Sequence, residues 1–263
     1  MVNSEISKVV FIGAGKMALS LGYALHTKGL KIIQVYNRTA GNGETLAKFL
    51  RAEYIADPNE ITTDADLYIL AVSDSCIEEI SARFCFQGKF VVHTSGAVDI
   101  NVLQLASKNH GVFYPLQSFT NFQQIDFKNI PLCLEANTTE NFELLFNLAK
   151  KLSSLVYPID SNLRRKLHLA AVFASNFSNF MYVIAEEILK SNKLSPDLIV
   201  PLIRLSSQVG FGGDFFQRQT GPAVRGDHAI IARHEELLAG NSDYLEIYDL
   251  ITNNIIKYKS QHG

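Results

Sequence analysis

The chain has 263 residues, 47% of them hydrophobic, and a net charge of −2. That is enough for one large or two moderate domains with a substantial core, and the near-neutral balance without a long basic run excludes nucleic acid as an expected partner. Cys76, Cys85 and Cys133 have no Cys-x-x-Cys spacing, so they are expected to be buried thiols in a reducing cytoplasm rather than a disulfide framework. His228 and His234 are off the i, i+4 spacing, and no metal site is expected. No signal-peptide pattern opens the chain, and no uncharged apolar run reaches the roughly 18 residues of a membrane helix, so no membrane span is expected.

The first apolar run, Lys8–Ile12, leads directly into Gly13-Ala14-Gly15-Lys16-Met17-Ala18. Met17, Leu21 and Leu25 then recur at helical spacing. A buried strand, a Gly-x-Gly-x-x-Ala turn and a helix are the fingerprint of a dinucleotide-binding unit. Gly13 allows the tight turn, Gly15 lets the backbone approach a pyrophosphate, and Ala18 lets the helix pack on the strand. The helix start offers unpaired N–H groups and partial positive charge to the phosphates.

The second strand, Lys31–Tyr36, ends in Asn37-Arg38-Thr39. A carboxylate that would hold a ribose 2′-hydroxyl usually stands about 20 residues past the glycines. Here a guanidinium and a hydroxyl stand instead. Arg38 can pair with a 2′-phosphate that a carboxylate would repel. NADP(H) is therefore expected over NAD(H).

Further strands are expected at Glu53–Ala56, Leu67–Val72, Lys89–His93, Gly111–Tyr114, Pro131–Glu135 and Leu155–Ile159, with helices near 16–28, 43–52, 76–84, 100–108 and 138–153. This alternation predicts an α/β unit with a mostly parallel sheet, its ligands at the carboxyl ends of the strands. Two of those ends suit a dinucleotide: Ala71-Val72-Ser73, before Asp74, and His93-Thr94-Ser95-Gly96. Asp74 equally suits a helix cap. Gln117 and Ser118, after Pro115, are a third candidate contact for nicotinamide or substrate.

After residue 160 strand signals vanish. The boundary is drawn there: a nucleotide-binding domain over 1–160 and an all-α domain over 161–263. The segment Leu163–Lys190 is apolar almost all round, which predicts a helix buried in its own domain or in a subunit interface. The short Arg164-Arg165-Lys166 cluster before it is expected to be a solvated face. Along this helix His168, Ser175 and Asn179 fall in one stripe, with Asn176 adjacent. His168 is the best candidate acid, because imidazole titrates near neutrality. Further helices are expected near 195–210, 228–239 and 242–258, with Gly210–Asp214 a joint between helices. In Gly221-Pro222-Ala223-Val224-Arg225-Gly226-Asp227, Asp227 suits an N-cap. Arg225 is read either as a structural ion pair or as a holder of substrate carboxylate. No Tyr is followed four positions later by Lys, and no Gly-x-Ser-x-Gly occurs. A short-chain dehydrogenase dyad and a serine-hydrolase elbow are thereby excluded.

Gly13–Ala18, Asn37-Arg38-Thr39, Ala71–Asp74, His93–Ala97, Tyr114–Phe119 and Gly221–Asp227, taken in order, resemble the bacterial DUF2520 family. Its members are Rossmann-like proteins with a C-terminal helical domain of unknown function, related to pyrroline-5-carboxylate reductases and deazaflavin-dependent NADP reductases. The resemblance covers essentially the whole chain. It implies an NADP-binding domain, a helical domain and a homodimer formed through it, and favours functional roles for His168, Asn176 and Arg225. The expected activity is an NADPH-dependent oxidoreductase acting on a small carbonyl or imine compound. The alternative is an NADP-binding sensor or partner protein without turnover.

Overall fold

A computed structural model describes residues 5–86, 88–120, 125–207 and 215–262. The expected joint at Gly210–Asp214 lies outside the described residues. By packing, the chain divides into two compact units, Met1–Phe177 and Ser178–Gly263.

The first unit is built on one eight-stranded sheet. Its strands are β1 (Lys8–Ile12), β2 (Lys31–Tyr36), β3 (Glu53–Ile55), β4 (Leu67–Leu70), β5 (Phe90–His93), β6 (Asn109–Pro115), β7 (Leu132–Ala136) and β8 (Val156–Pro158). Their order is β3-β2-β1-β4-β5-β6-β7-β8. All neighbours pair in parallel except β6 and β7, which run antiparallel. Strand order reverses between β1 and β4, which opens a crevice at their carboxyl ends where a doubly wound fold binds its ligand. Four helices accompany the sheet: α1 (Lys16–Thr27), α2 (Ala40–Leu50), α3 (Asp74–Arg83) and α4 (Thr139–Leu152). Val9 and Phe11 belong to one hydrophobic core, Val10 and Ile12 to the other. Period-two alternation along β1 therefore feeds both faces of the sheet, so the strand reads as a continuous apolar run. The helix expected at 100–108 is instead a 3₁₀ segment, Ile100–Leu105. Asp99 caps it, its side chain accepting from Asn101 N–H.

The helix that begins at Ser161 runs to Ser191. It comprises α5 (Ser161–Ala171), a π-helical stretch (Val172–Phe177) and α6 (Ser178–Ser191). The division between the two compact units falls inside it, after Phe177. The reason is local: Asp160 caps α5 by accepting from Leu163 N–H at 2.8 Å. Ser161 and Arg164 then tie its first turn to β7 and to the Val98 region. Arg164 therefore departs from the expected solvated face: it is 0% exposed. The helix is not buried within the single chain either. Leu163, Leu169, Phe173 and Phe177 are exposed, Phe173 at 63%. Within Ser161–Ser191 an 18-residue stretch has a mean hydropathy of 1.3, so the helix is long and apolar enough to cross a membrane by length and composition alone. The expectation of no span rests on an unbroken apolar run, and the uncharged stretch 167–185 is interrupted by His168, Ser175, Asn176, Ser178 and Asn179.

The second unit continues with α7 (Val200–Ser207), α8 (Pro222–Arg225), α9 (His228–Leu238) and α10 (Ser242–His262). A 3₁₀ turn at Pro196–Ile199 precedes α7, because the Ser195 side chain accepts from Asp197 N–H and starts it. α9 and α10 pack on each other and on α8.

Candidate functional site

The carboxyl ends of β1, β2 and β4 enclose a cleft of about 360 Å³. Gly13, Ala14, Gly15, Asn37, Arg38, Thr39, Ala71, Val72 and Ser73 all line it. Gly13 sits at φ +104°, and a Cβ there would lie 2.4 Å from the Ala71 carbonyl oxygen. The turn therefore requires glycine twice, for its backbone angle and for the close approach of the β4 end. Gly13 N–H donates to the Tyr36 carbonyl at 2.8 Å, which fixes the turn against β2. Gly15 begins α1 with no side-chain cap. The first-turn N–H groups of α1 are thus left for an anion. Ala18 is fully buried against the core, and Met17 packs partly on it. Lys16 is exposed and does not line the cleft.

At the end of β2 the Asn37 amide donates to the Thr39 carbonyl at 2.7 Å and to Thr39 Oγ1 at 3.1 Å. This closes the turn and leaves Arg38 exposed on the cleft wall. Arg38 has no ion-pair partner among the described residues. α3 supplies a wall that sequence reasoning missed. Cys76, Glu79, Ile80 and Arg83 recur at helical spacing and, with Phe84, line the cleft. Arg83 lies over the Phe84 ring at 5.8 Å. The i, i+3, i+4, i+7 pattern from Cys76 was the available signal. Asp74 is the first residue of α3, and Ser73 holds the cap position with its Oγ donating to Cys76 Sγ at 3.2 Å rather than capping a helix N–H.

The β5 end lies outside this cleft. His93 is 0% exposed, and its Nδ1 accepts from Ser95 N–H at 3.2 Å. Ser95 Oγ accepts from Ala97 and Val98 N–H at 3.0 Å each, and Thr94 Oγ1 donates to the Leu70 carbonyl. The side chains of His93, Thr94 and Ser95 thus build the turn itself. Gly96 then faces a second polar cluster. Tyr114 Oη is 3.1 Å from His168 Nδ1, and a Cβ on Gly96 would lie 2.6 Å from that same nitrogen. Nearby, Ser118 Oγ meets Ser175 Oγ at 2.9 Å, while Gln117 Oε1 accepts from Ser118 N–H. Ser175 and Asn176 both belong to the π-helical stretch and are exposed. Such widened turns recur at functional sites.

Electrostatics separates these groups. Burial, with the Arg164 charge nearby, drives the His93 imidazole down to about 3, against a weaker pull from Asp99. Burial pushes the Tyr114 hydroxyl up to about 12 and the Cys133 thiol up to about 11. Of the cysteines only Cys133 is buried: Cys76 is half-buried in the cleft wall and Cys85 is exposed where the chain leaves α3. His93 carries a pH prediction. Above 6.5 it is neutral folded or unfolded. Below that value the unfolded chain takes up a proton that the folded one refuses until about 3. Its contribution to stability is thus full above 6.5 and is lost on acidification, at about 1.4 kcal/mol per pH unit. Urea denaturation at stepped pH should show this slope, and His93→Phe should flatten it.

In the helical unit, Gly221 and Gly226 take φ +109° and +70° around α8. Asp227 Oδ1 then caps α9 by accepting from Ile230 N–H at 3.2 Å. Most of the Gly221–Asp227 motif is therefore spent on helix boundaries. Arg225 ends α8 exposed, with no ion-pair partner among the described residues. Among the described residues no cluster of three or more His, Cys, Asp or Glu is arranged to hold a metal.

With this geometry in view, comparison with known proteins is informative. The model of a Rossmann-like domain matches residues 2–116, and that of DUF2520, a domain of unknown function, matches residues 130–255. A solved structure described as a "putative NADP oxidoreductase" from Bacteroides fragilis is 38% identical over 97% of this chain and 100% of its own, with a TM-score of 0.89. The chain belongs to the Rossmann-like DUF2520 family. Beyond the family the likeness is one of fold. A 1-pyrroline-5-carboxylate reductase from Streptococcus pyogenes is 14% identical over 97% of this chain and 100% of its own, at TM-score 0.62. An imine reductase from Myxococcus stipitatus, in complex with NADP+, is 15% identical over 97% and 93%, at 0.65. A variant of that enzyme is in complex with NAD+. No curated protein matches the chain.

Proposed function

We propose that this chain is an NADPH-dependent oxidoreductase acting on a small carbonyl or imine compound. The observation that carries the proposal is one cleft lined by both the uncapped Gly13–Gly15 turn and Arg38, with no carboxylate at the end of β2. A pyrophosphate fits the first and a 2′-phosphate the second. That pairing favours NADP(H) over NAD(H), and the relative from Bacteroides fragilis supports it. The cofactor, when bound, supplies a hydride to the substrate carbon. The chain's residues do the rest. Gly13–Ala18, Asn37–Thr39 and Ala71–Ser73 bind and orient the nucleotide, and the His93–Gly96 turn shapes the approach to the nicotinamide. The imidazolium of His168 gives its proton to the substrate oxygen or nitrogen and is left neutral. Asn176 hydrogen-bonds the substrate.

The working unit is a homodimer. Leu163, Leu169, Phe173, Phe177 and Phe180 are exposed on one helix, and such a surface is stable in water when a second copy covers it. The free cysteines support a reducing compartment, the cytoplasm. The test is NADPH consumption across a panel of small aldehydes, ketones and cyclic imines. Turnover of at least one class, lost in His168→Ala, supports the proposal. Saturable NADPH binding with no turnover across the panel would assign the chain to the non-catalytic binding proteins instead.

A further inference from the structure

The groups around His168 are fixed from three sides. On its own helix, Arg164 precedes it by one turn and is fully buried. The guanidinium donates to the Glu135 carboxylate, to the Val98 carbonyl at 2.6 Å and to Ser161 Oγ at 3.0 Å. Residues i and i+4 share a helix face, so clamping Arg164 also sets the azimuth of His168. From the sheet, Tyr114 reaches His168 at the end of β6, with ring centroids 6.1 Å apart and an interplanar angle of 73°. From the β5 turn, Gly96 leaves room for both rings: a Cβ there would lie 2.6 Å from His168 Nδ1 and 2.8 Å from Tyr114 Cζ.

We propose that Tyr114 is a positioning residue that sets the tautomer of His168: its hydroxyl donates to Nδ1, so the neutral imidazole carries its hydrogen on Nε2. Tyr114 is 8% exposed, and Nδ1 of His168 is its hydroxyl's one partner among the described residues. A phenol in that situation satisfies its proton only by donating. Were it to accept from Nδ1–H instead, its own hydrogen would be buried unpaired. Burial also keeps the hydroxyl protonated, pushing it up to about 12. Nε2 of His168 has no partner among the described residues and is left as the donating edge of the ring. When the ring is doubly protonated, the hydroxyl turns and accepts from Nδ1–H, so one contact orients the imidazole in both charge states. The assignment of Nε2 as the edge that faces substrate rests on the oxidoreductase reading above; the tautomer itself does not.

The experiment is two-bond ¹H–¹⁵N correlation NMR of the histidine rings in the full chain, at alkaline pH, for wild type, Tyr114→Phe and Gly96→Ala, with His168→Gln assigning the signals. The wild-type ring is expected to show Nδ1 as acceptor and Nε2 as N–H. Tyr114→Phe keeps the packed ring and removes the donor, so the Nε2–H to Nδ1–H ratio should fall roughly threefold to tenfold, one ordinary hydrogen bond's worth. Gly96→Ala disturbs the same contact from the opposite side and should lower the ratio too. An Nδ1–H wild-type ring, or a ratio unchanged in both variants, overturns the proposal. NADPH titration of the same samples keeps the two readings apart. A fixed tautomer without NADPH binding would sustain the Tyr114 assignment and remove the oxidoreductase reading. NADPH binding with an unfixed tautomer would do the reverse.

Discussion

Gly13→Ala is expected to abolish NADPH binding and to cost about 2–4 kcal/mol of stability, from a positive φ combined with overlap against backbone. Both penalties are visible. The residue sits at φ +104°, which L side chains rarely adopt. Its added methyl would lie 2.4 Å from the Ala71 carbonyl oxygen and 2.8 Å from Val72 Cγ1. The carbonyl belongs to the backbone at the end of β4 and cannot swing aside as a flexible side chain would. Relief requires β1 and β4 to part at the crevice, where the nucleotide is to lie. Denaturant unfolding and NADPH titration of one preparation measure both effects. A variant within about 0.5 kcal/mol of wild type, the ordinary range for a surface change, would show that the turn is not held as described.

Glu135→Ala is expected to cost about 3–5 kcal/mol, because it strands the buried Arg164 charge without its counter-ion. Arg164 is 0% exposed, and its Nε has no partner among the described residues. Glu135 also accepts from Ser161 Oγ at 2.7 Å, and Ser161 Oγ in turn accepts from Ile100 N–H at 3.0 Å. Loss of the carboxylate therefore loosens the start of the helix that carries His168. The double variant Glu135→Ala with Arg164→Met removes the orphaned charge as well, and should recover a large part of the loss. Denaturation midpoints of the single and double variants decide the matter. A single variant as stable as wild type, or a double variant no better than the single, would contradict the ion pair as the anchor of α5. The surface pairs Lys8–Asp64 and Lys151–Glu5 form a contrast: both are solvent-exposed, and neither is expected to matter measurably.

The parts of this architecture legible in the sequence are those written in local periodicity. β1 and β2 have the expected bounds, because each is a run of five or six residues rich in Val, Ile and aromatic side chains that stops at a turn, too short for a helix and suited to a strand covered on both faces. The Gly13–Ala18 turn and Arg38 meet in one cleft because both hang from strand ends whose order the βαβ rule dictates. What was not legible depends on partners distant in the chain. The antiparallel setting of β7 follows from pairing with β6 and has no mark in its own residues. Arg164 reads as solvated in a run of three basic residues. Only the fold brings Glu135, 29 positions earlier, beneath it. Tyr114 looks like one more apolar strand residue until His168 is brought to its hydroxyl. The widened turn at Val172–Phe177 alters the register that a straight-helix projection assigns to Ser175 and Asn176. The apolar face of the long helix predicts burial in its own domain or in a subunit interface, because periodicity reports apolarity, and apolarity does not say which molecule covers it.

The central claim is that the cleft bearing Gly13 and Arg38 holds NADP(H) by its 2′-phosphate. Its most direct test is equilibrium titration of wild type and Arg38→Ala with NADPH and with NADH. Wild type is expected to bind NADPH more tightly than NADH. The variant should lose about 10- to 100-fold for NADPH, the worth of a charge-assisted hydrogen-bonded pair, with little change for NADH. Equal wild-type affinities, or an Arg38→Ala variant whose preference is intact, would contradict the claim, and failure of both nucleotides to bind at millimolar concentration would end it.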